Sequence, residues 1–267
     1  MGRDVDSQAY AVLYDAYYYA HGCGNPYQRD DMWLNFFAGI AGRLIDDIAP
    51  TTVLDAGCAM GFLVEKLRAR GVQAFGIDIS EYAIQNVHPD SQDYCWVGSI
   101  IDPFPQQYDL IVSIEVLEHL PPEQAQPAIS NLCAHSDDII FSSTPLDYTE
   151  PTHLNVQPPE YWAKLFAQQG FYRDMDFDAS FLTPWAARFR RRDIRPWRLV
   201  TEYERKLWHL SQESLGQREL NVKQRKILAE QQAQVAALKG KNGELEAERS
   251  RLQRSFVFRV LRKLGLV

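Results

Sequence analysis

TVLDAGCAMGFLVEKLRARGVQAFGIDIS, residues 52–80, decides how this chain folds. Val53 and Leu54 form a short apolar run, Asp55 to Gly61 form a glycine-bearing turn, and Phe62, Leu63 and Leu67 recur with helical spacing. Gly71 closes the helix, and a second apolar run from Ala74 to Ile77 ends in Asp78. The pattern predicts one βαβ unit. Asp78 falls about 20 residues beyond the turn, where a nucleotide-binding crossover places the acid that holds ribose hydroxyls. Gly57 and Gly61 let backbone approach a ligand closely, and the Asp78 carboxylate can accept two hydrogen bonds from a ribose diol.

The turn does not carry the G-x-G-x-x-G of a dinucleotide site. Its order, Asp55-Ala56-Gly57-Cys58-Ala59-Met60-Gly61, resembles the D-x-G-x-G-x-G motif of class I S-adenosylmethionine-dependent methyltransferases, with Ala59 in place of the middle glycine. The resemblance runs on through GIDIS, through YDLIVSIEVLEHL at 108–120, and through STP followed by a W-x-x-x-F-x-x-x-GF pattern from Trp162 to Phe171. It covers residues 40–180 or so, and implies an α/β fold, a Rossmann-like sheet flanked by helices. It also implies S-adenosylmethionine as cofactor, held by Asp55, Ala56, Gly57, Gly61, Asp78, Ile79, Ser99, Ile100 and Glu115. Ser99 stands where the family often has an acid for the adenine amino group; Asp102, three residues on, is a second and weaker candidate.

With 267 residues the chain suits one α/β domain plus an extension. The four cysteines show no C-x-x-C spacing and no secretory signal precedes them, so a reduced, cytoplasmic setting is expected, with no disulfide or zinc framework. The formal net charge of −7 hides a division. Residues 1–183 hold 8 basic and 26 acidic side chains; residues 184–267 hold 20 basic and 9 acidic. The expected organisation is a helical cap over 1–50, the methyltransferase domain over 51–183, a basic helical or coiled-coil region over 184–254 and an amphipathic segment over 255–267. An acidic body disfavours nucleic acid as a partner, in spite of the arginines at 188, 190, 191, 192, 195 and 198.

The cap should contain a helix from about Asp30 to Ile48, on which Trp33, Phe36, Phe37, Ile40, Leu44 and Ile48 recur at three- and four-residue steps. The tyrosine-rich stretch from Tyr17 to Tyr27 reads as a loop. Asp174 to Phe181 should finish the sheet.

The chemistry lies after the next strand. Asp109 to Ile114 is the near-continuous apolar run of a parallel strand buried on both faces, and it delivers Glu115 to the edge where α/β ligands bind. Glu118 and His119 follow at i+3 and i+4, on one side of a turn if the chain is helical there. The loop DYTEPTHLNV after the fifth strand brings His153 across the same edge. Glu115, Glu118, His119 and His153 resemble the E-x-x-E-H plus distant His pattern of small-RNA 2′-O-methyltransferases and ubiquinone-pathway O-methyltransferases. That resemblance implies a divalent cation, and the mixed oxygen and nitrogen set suits Mg2+ or Mn2+ better than a zinc cage. A cation would point to O-methylation of a diol; without one, His119 or His153 is the general base.

From Trp197 to Arg254 there is no proline, and Leu238, Leu245 and Leu252 sit seven apart with Leu228 and Val235 on a second seam. Self-association through a coiled coil and a lone amphipathic helix both remain open. In the last residues Phe256, Val257, Val260, Leu261, Leu264 and Val267 fall on one helical arc, with Arg259, Arg262 and Lys263 on the other. This is the composition of an interfacial helix, peripheral on the inner face of a membrane; docking on a partner coil is the alternative. Such segments are similar to those following catalytic domains in bacterial surface-polysaccharide enzymes. The leading expectation is therefore methylation of a sugar hydroxyl on a lipid-linked or nucleotide-linked glycan acceptor. A quinone-precursor or other small-molecule acceptor is the rival, and a non-catalytic scaffold is the third reading.

Overall fold

The computed structural model of the protein describes residues 11–266. The βαβ unit forms as expected: β1 (Thr52–Ala56), a first crossover helix (Phe62–Arg68) and β2 (Gln73–Asp78), parallel to β1 in register Val53 to Ala74. β3 (Cys95–Val97), β4 (Leu110–Ile114) and β5 (Asp138–Ser142) extend the parallel sheet. Two antiparallel strands, β6 (Phe171–Arg173) and β7 (Ala187–Arg191), complete a seven-stranded order of β3-β2-β1-β4-β5-β7-β6. The order reverses between β1 and β4, the place where open α/β sheets hold ligands.

Side-chain alternation divides the core between the two faces of the sheet. Val53, Leu110, Val112 and Ile140 pack with Phe62, Leu63 and Leu67 and with the buried face of the helix Asp31–Ile48, namely Phe37, Ile40, Ala41 and Leu44. Their neighbours Leu54, Ile111, Ile139 and Phe141 pack on the other side against Ile129 and Leu132 of the helix Ala125–His135 and Trp162 and Phe166 of the helix Pro159–Gln168. In chain order the helices are α1 (Ala16–His21), α2 (Asp31–Ile48), α3 (Phe62–Arg68), α4 (Glu81–Gln85), α5 (Ala125–His135), α6 (Pro159–Gln168), α7 (Pro196–Arg254) and α8 (Phe256–Lys263). α2 starts where the Asp30 carboxylate accepts from Trp33 N–H at 3.1 Å.

Three expectations are corrected. The Tyr17–Tyr19 stretch is helical, because the Asp15 carboxylate accepts from the backbone N–H groups of Tyr17 and Tyr18 and caps α1. Asp174–Phe181 is irregular: Asp174 and Asp178 turn their carboxylates onto the N–H groups of Asp176 and Ser180, a local bonding that competes with a strand. The sheet is finished instead by β7, which lies beyond the expected boundary at 183; the first compact unit runs to Arg195. Part of the arginine run is thereby spent inside the fold. Arg188 pairs with Asp138 and lies 4.9 Å over the Phe177 ring, and Arg191 reaches Asp137 at 2.5 Å.

The second unit, Pro196–Val267, holds α7, a helix of 59 residues with no buried side chain, and α8. Ser255 separates them, its N–H bonded to Leu252 O. Val267 lies outside the described residues, as do the first ten residues of the expected cap.

Candidate active site

The cleft opens at the carboxyl ends of β1, β2, β4 and β5 and has a volume of about 570 Å³. Gly57 leaves β1 with φ +92, and its N–H bonds Ile77 O at 2.8 Å. A Cβ at this position would stand 2.3 Å from Val116 Cγ2, so glycine is required twice, by φ and by space. Ala59, in the place of the motif's middle glycine, accepts φ 47 and donates its N–H to Asp78 Oδ2 at 2.8 Å. Asp78 Oδ1 accepts from Ser80 N–H at 2.8 Å. The acid thus braces the turn it faces, and each carboxylate oxygen keeps a lone pair for a ribose hydroxyl. Burial pushes the Asp78 carboxyl up while these backbone bonds pull it down. Asp55, also buried, is raised to about 8, first by burial and then by the charge of Asp78.

Of the residues expected to hold the cofactor, Asp55, Gly57, Asp78, Ile79, Ser99, Ile100 and Glu115 line the cleft. Ala56 and Gly61 do not. Ala56 is fully buried among Leu54, Ile77 and Ile111, and Gly61, at φ 70, starts α3. Asp102 lies off the cleft, its carbonyl bonded to the Asn131 side chain.

Beyond β4 the chain turns sharply. Glu115 sits at φ 53, a left-handed conformation that concentrates at functional sites in non-glycine residues. Its N–H bonds Ser142 O, and its Oε1 accepts from Trp185 Nε1 at 2.9 Å. Leu117–His119 is then a single 3-10 turn. The expected quartet is accordingly a trio: Glu118, His119 and His153 bring one ligand atom each to within 4.8 Å of one another, and Glu115 faces Trp185 instead.

Hydrogen bonds fix both imidazoles. His153 Nδ1 lies 2.9 Å from Asp147 O, a carbonyl that can only accept, so Nδ1 carries the proton and Nε2 has a free lone pair. His119 Nδ1 lies 3.0 Å from Thr152 Oγ1, whose own proton goes to Glu150 Oε1 at 2.8 Å. The relay Glu150, Thr152, His119 thus sets the same tautomer. The rings meet at 4.7 Å, and burial followed by the neighbouring His153 lowers His119 to about 4. Glu118 is fully buried; its Oε1 accepts from Thr144 N–H, and its Oε2 has no partner. Ser143 Oγ lies near this carboxylate without completing a hydrogen bond. Burial, then Glu115, raises Glu118 to about 8. A buried carboxylate oxygen without a donor beside two imidazole lone pairs fits a divalent cation, which supplies the charge the carboxylate lacks.

The walls are aromatic. Tyr14 and Tyr18 set ring edges on His119 at 5.6 and 6.1 Å, and Tyr19, Tyr27, Trp33, Phe36, Phe37 and Trp185 complete the aromatic lining. Sequence reasoning missed the Trp185 contact to Glu115, which is 70 residues away along the chain, and the Thr152 and Glu150 relay. A T-x-x-D-Y-T-E-P-T-H loop full of short polar side chains was the only available signal for the latter.

A seven-stranded sheet with a glycine turn, a buried acid at the end of β2 and a polar constellation at its reversal point defines a class I methyltransferase core. The Methyltransferase domain family matches residues 28–218, and the chain belongs to that family. Magnesium protoporphyrin IX methyltransferase (ChlM) from Synechocystis PCC 6803 with bound SAH has the same fold, at TM-score 0.52 and 19% identity over 68% of this chain and 99% of that one. SAM-bound CalS10, an amino pentose methyltransferase from Micromonospora echinaspora, superposes at TM-score 0.51 and 13% identity, over 61% of this chain and 93% of that one. Among curated relatives, the Ubiquinone biosynthesis O-methyltransferase of Azoarcus sp. (strain BH72) is 30% identical over 128 residues, 45% of this chain and 51% of its own. That of Pseudomonas paraeruginosa (strain DSM 24068 / PA7) is 33% identical over 97 residues, 33% of this chain and 38% of its own. The chain spans about half the length of the first of these relatives and 38% of the second.

Proposed function

We propose that the protein transfers the methyl group of S-adenosylmethionine to a hydroxyl oxygen of a small aromatic acceptor that carries a second, adjacent oxygen. The observation that carries this reading is the cluster of Glu118, His119 and His153, each with a ligand atom within 4.8 Å of the others, around a buried Glu118 Oε2 that has no hydrogen-bond partner. The curated relatives' shared name, and tyrosine and tryptophan walls suited to a flat ring, support the aromatic acceptor. In the reaction the sulfonium S–C bond breaks as the acceptor's O–C bond forms in line, and the hydroxyl loses its proton.

Glu118, His119 and His153 would hold the cation. Two nitrogens and one carboxylate suit Mn2+ better than Mg2+, which prefers an all-oxygen shell. When bound, such an ion lowers the pKa of a coordinated hydroxyl and fixes an oxygen pair. The chain's own contribution is orientation: Asp147 O and Thr152 aim the imidazoles, and Tyr14 and Tyr18 shield them from water. In a metal-free mechanism one Nε2 takes the acceptor proton directly.

The sugar hydroxyl expected from the basic amphipathic segment is the second reading, which the composition of residues 249–266 favours. One set of assays separates these. Dialysed protein with S-adenosylmethionine is offered a 1,2-dihydroxybenzene, its monohydroxy analogue and a nucleotide sugar, with EDTA, Mn2+ or Mg2+. The proposal expects turnover of the dihydroxy compound alone, lost in EDTA and restored best by Mn2+; Glu118→Ala, His119→Ala and His153→Ala each abolish it. Full activity in EDTA would remove the metal, turnover of the sugar alone would remove the aromatic acceptor, and calorimetry without cofactor binding would leave only a scaffold.

A further inference from the structure

We propose that α8 with the last turn of α7 docks on an anionic lipid surface, the apolar arc of α8 entering the headgroup boundary and the basic arc facing the phosphates. The proposal stands independently of the acceptor assigned above. From Arg249 to Leu266 the chain carries Arg249, Arg251, Arg254, Arg259, Arg262 and Lys263 and no acid, within a protein whose net charge is −7. Phe256, Val257 and Val260 lie within one arc of α8, and they and Leu264 just beyond it are exposed, Phe256 at 76% and Leu264 at 65%. Arg259, Arg262 and Lys263 form the opposite arc. The helix is complete by itself: Gly265 takes φ 69, and Leu266 N–H closes on Leu261 O at 3.1 Å, which satisfies carbonyls at its end.

Charge decides the occupant. A second copy laid face to face and parallel would bring six cations against six, with no acid on this stretch to offset them. An anionic leaflet offers both what the basic arc needs and an apolar layer for the other arc. Among the described residues no helix is long and apolar enough to cross a membrane.

The test uses the full chain, sedimented with vesicles of phosphatidylcholine alone and of phosphatidylcholine mixed with phosphatidylglycerol. Each basic residue near such a surface is worth about fivefold in binding, so the triple change Arg259→Gln, Arg262→Gln and Lys263→Gln should weaken association about 100-fold, and salt should weaken it likewise. Val257→Asp with Val260→Asp should abolish it through the apolar arc. An unchanged thermal shift on adding S-adenosylmethionine shows that each variant folds. Failure of the wild-type chain to sediment, equal binding to neutral vesicles, or an unaffected triple variant would overturn the proposal. So would a halved solution mass of the double aspartate variant in a protein that ignores vesicles, which would assign the face to a second copy.

Discussion

Gly57→Ala should damage the protein by an amount that splits into two separable parts. The backbone there has φ +92, and holding an L-residue in left-handed space costs roughly 1–2 kcal/mol. The new Cβ would also stand 2.3 Å from Val116 Cγ2 and 2.9 Å from Cγ1, well inside contact distance, and overpacking of this kind costs about 1–3 kcal/mol. The total of about 2–5 kcal/mol leaves a domain of ordinary stability folded but weakened. Val116→Ala removes the obstructing methyls and leaves φ untouched. A double-mutant cycle by denaturant unfolding should therefore show a coupling of about 1–3 kcal/mol between the two positions, with the double variant better than additive. Because Gly57 N–H and Cys58 N–H both bond Ile77 O, displacement of the turn should also weaken S-adenosylmethionine binding, by about tenfold or 1.4 kcal/mol in calorimetry. A loss below about 0.5 kcal/mol for Gly57→Ala, the range of a neutral surface change, would refute the reasoning, as would strict additivity.

Two further outcomes follow from burial and charge. Asp55 has its folded pKa raised to about 8, above an unfolded value near 3.9, so the folded state holds the proton longer and stability declines as pH rises between those values. Cofactor-free Asp55→Asn should accordingly gain in melting temperature against the parent as pH goes from 5 to 9, and parallel melting curves across that range would contradict the assigned strain. Arg188, 11% exposed and shared between Asp138 and Asp174, ties β7 to β5, so Arg188→Ala should cost about 3–5 kcal/mol in chemical unfolding; a cost under 1 kcal/mol would return the arginine run to the role of a solvated tail.

The legible parts of the chain were those whose signal is local. The βαβ unit from Thr52 to Ser80 could be read because Gly57, Gly61, Gly71 and the apolar runs each dictate the backbone within a few residues of themselves. The same holds for α2, whose cap and apolar stripe are adjacent in sequence. β7 was illegible because its partners are remote: Ala187–Arg191 reads as a basic tail until Asp138 and Asp137, about 50 residues earlier, are seen to face Arg188 and Arg191. The site divides in the same way. Glu118, His119 and His153 stand in a recognisable motif, and Glu115 would share their side only if the chain after β4 were helical. The left-handed turn at Glu115 swings its carboxylate to Trp185, and nothing local to Glu115 announces that partner.

The cofactor side and the acceptor side of the cleft are joined through one short segment. β2 ends in Asp78, whose two oxygens hold the Ala59 and Ser80 N–H groups, and so fix the turn and the start of α4 together. Ser80 then donates its hydroxyl to Tyr14 O at 2.5 Å while accepting from Ala83 N–H. Tyr14 in turn lays its ring edge on His119. Four consecutive contacts thus run from the glycine turn, through Asp78 and the cap of α4, to the aromatic roof over the imidazoles. Since Ser80 is fully buried and satisfied in both directions, the roof cannot lift at Tyr14 without leaving a buried carbonyl and hydroxyl unpaired. Movement of the cleft wall is therefore easier at the exposed Tyr17 and Tyr148 than at Tyr14, which is held from below by Ser80.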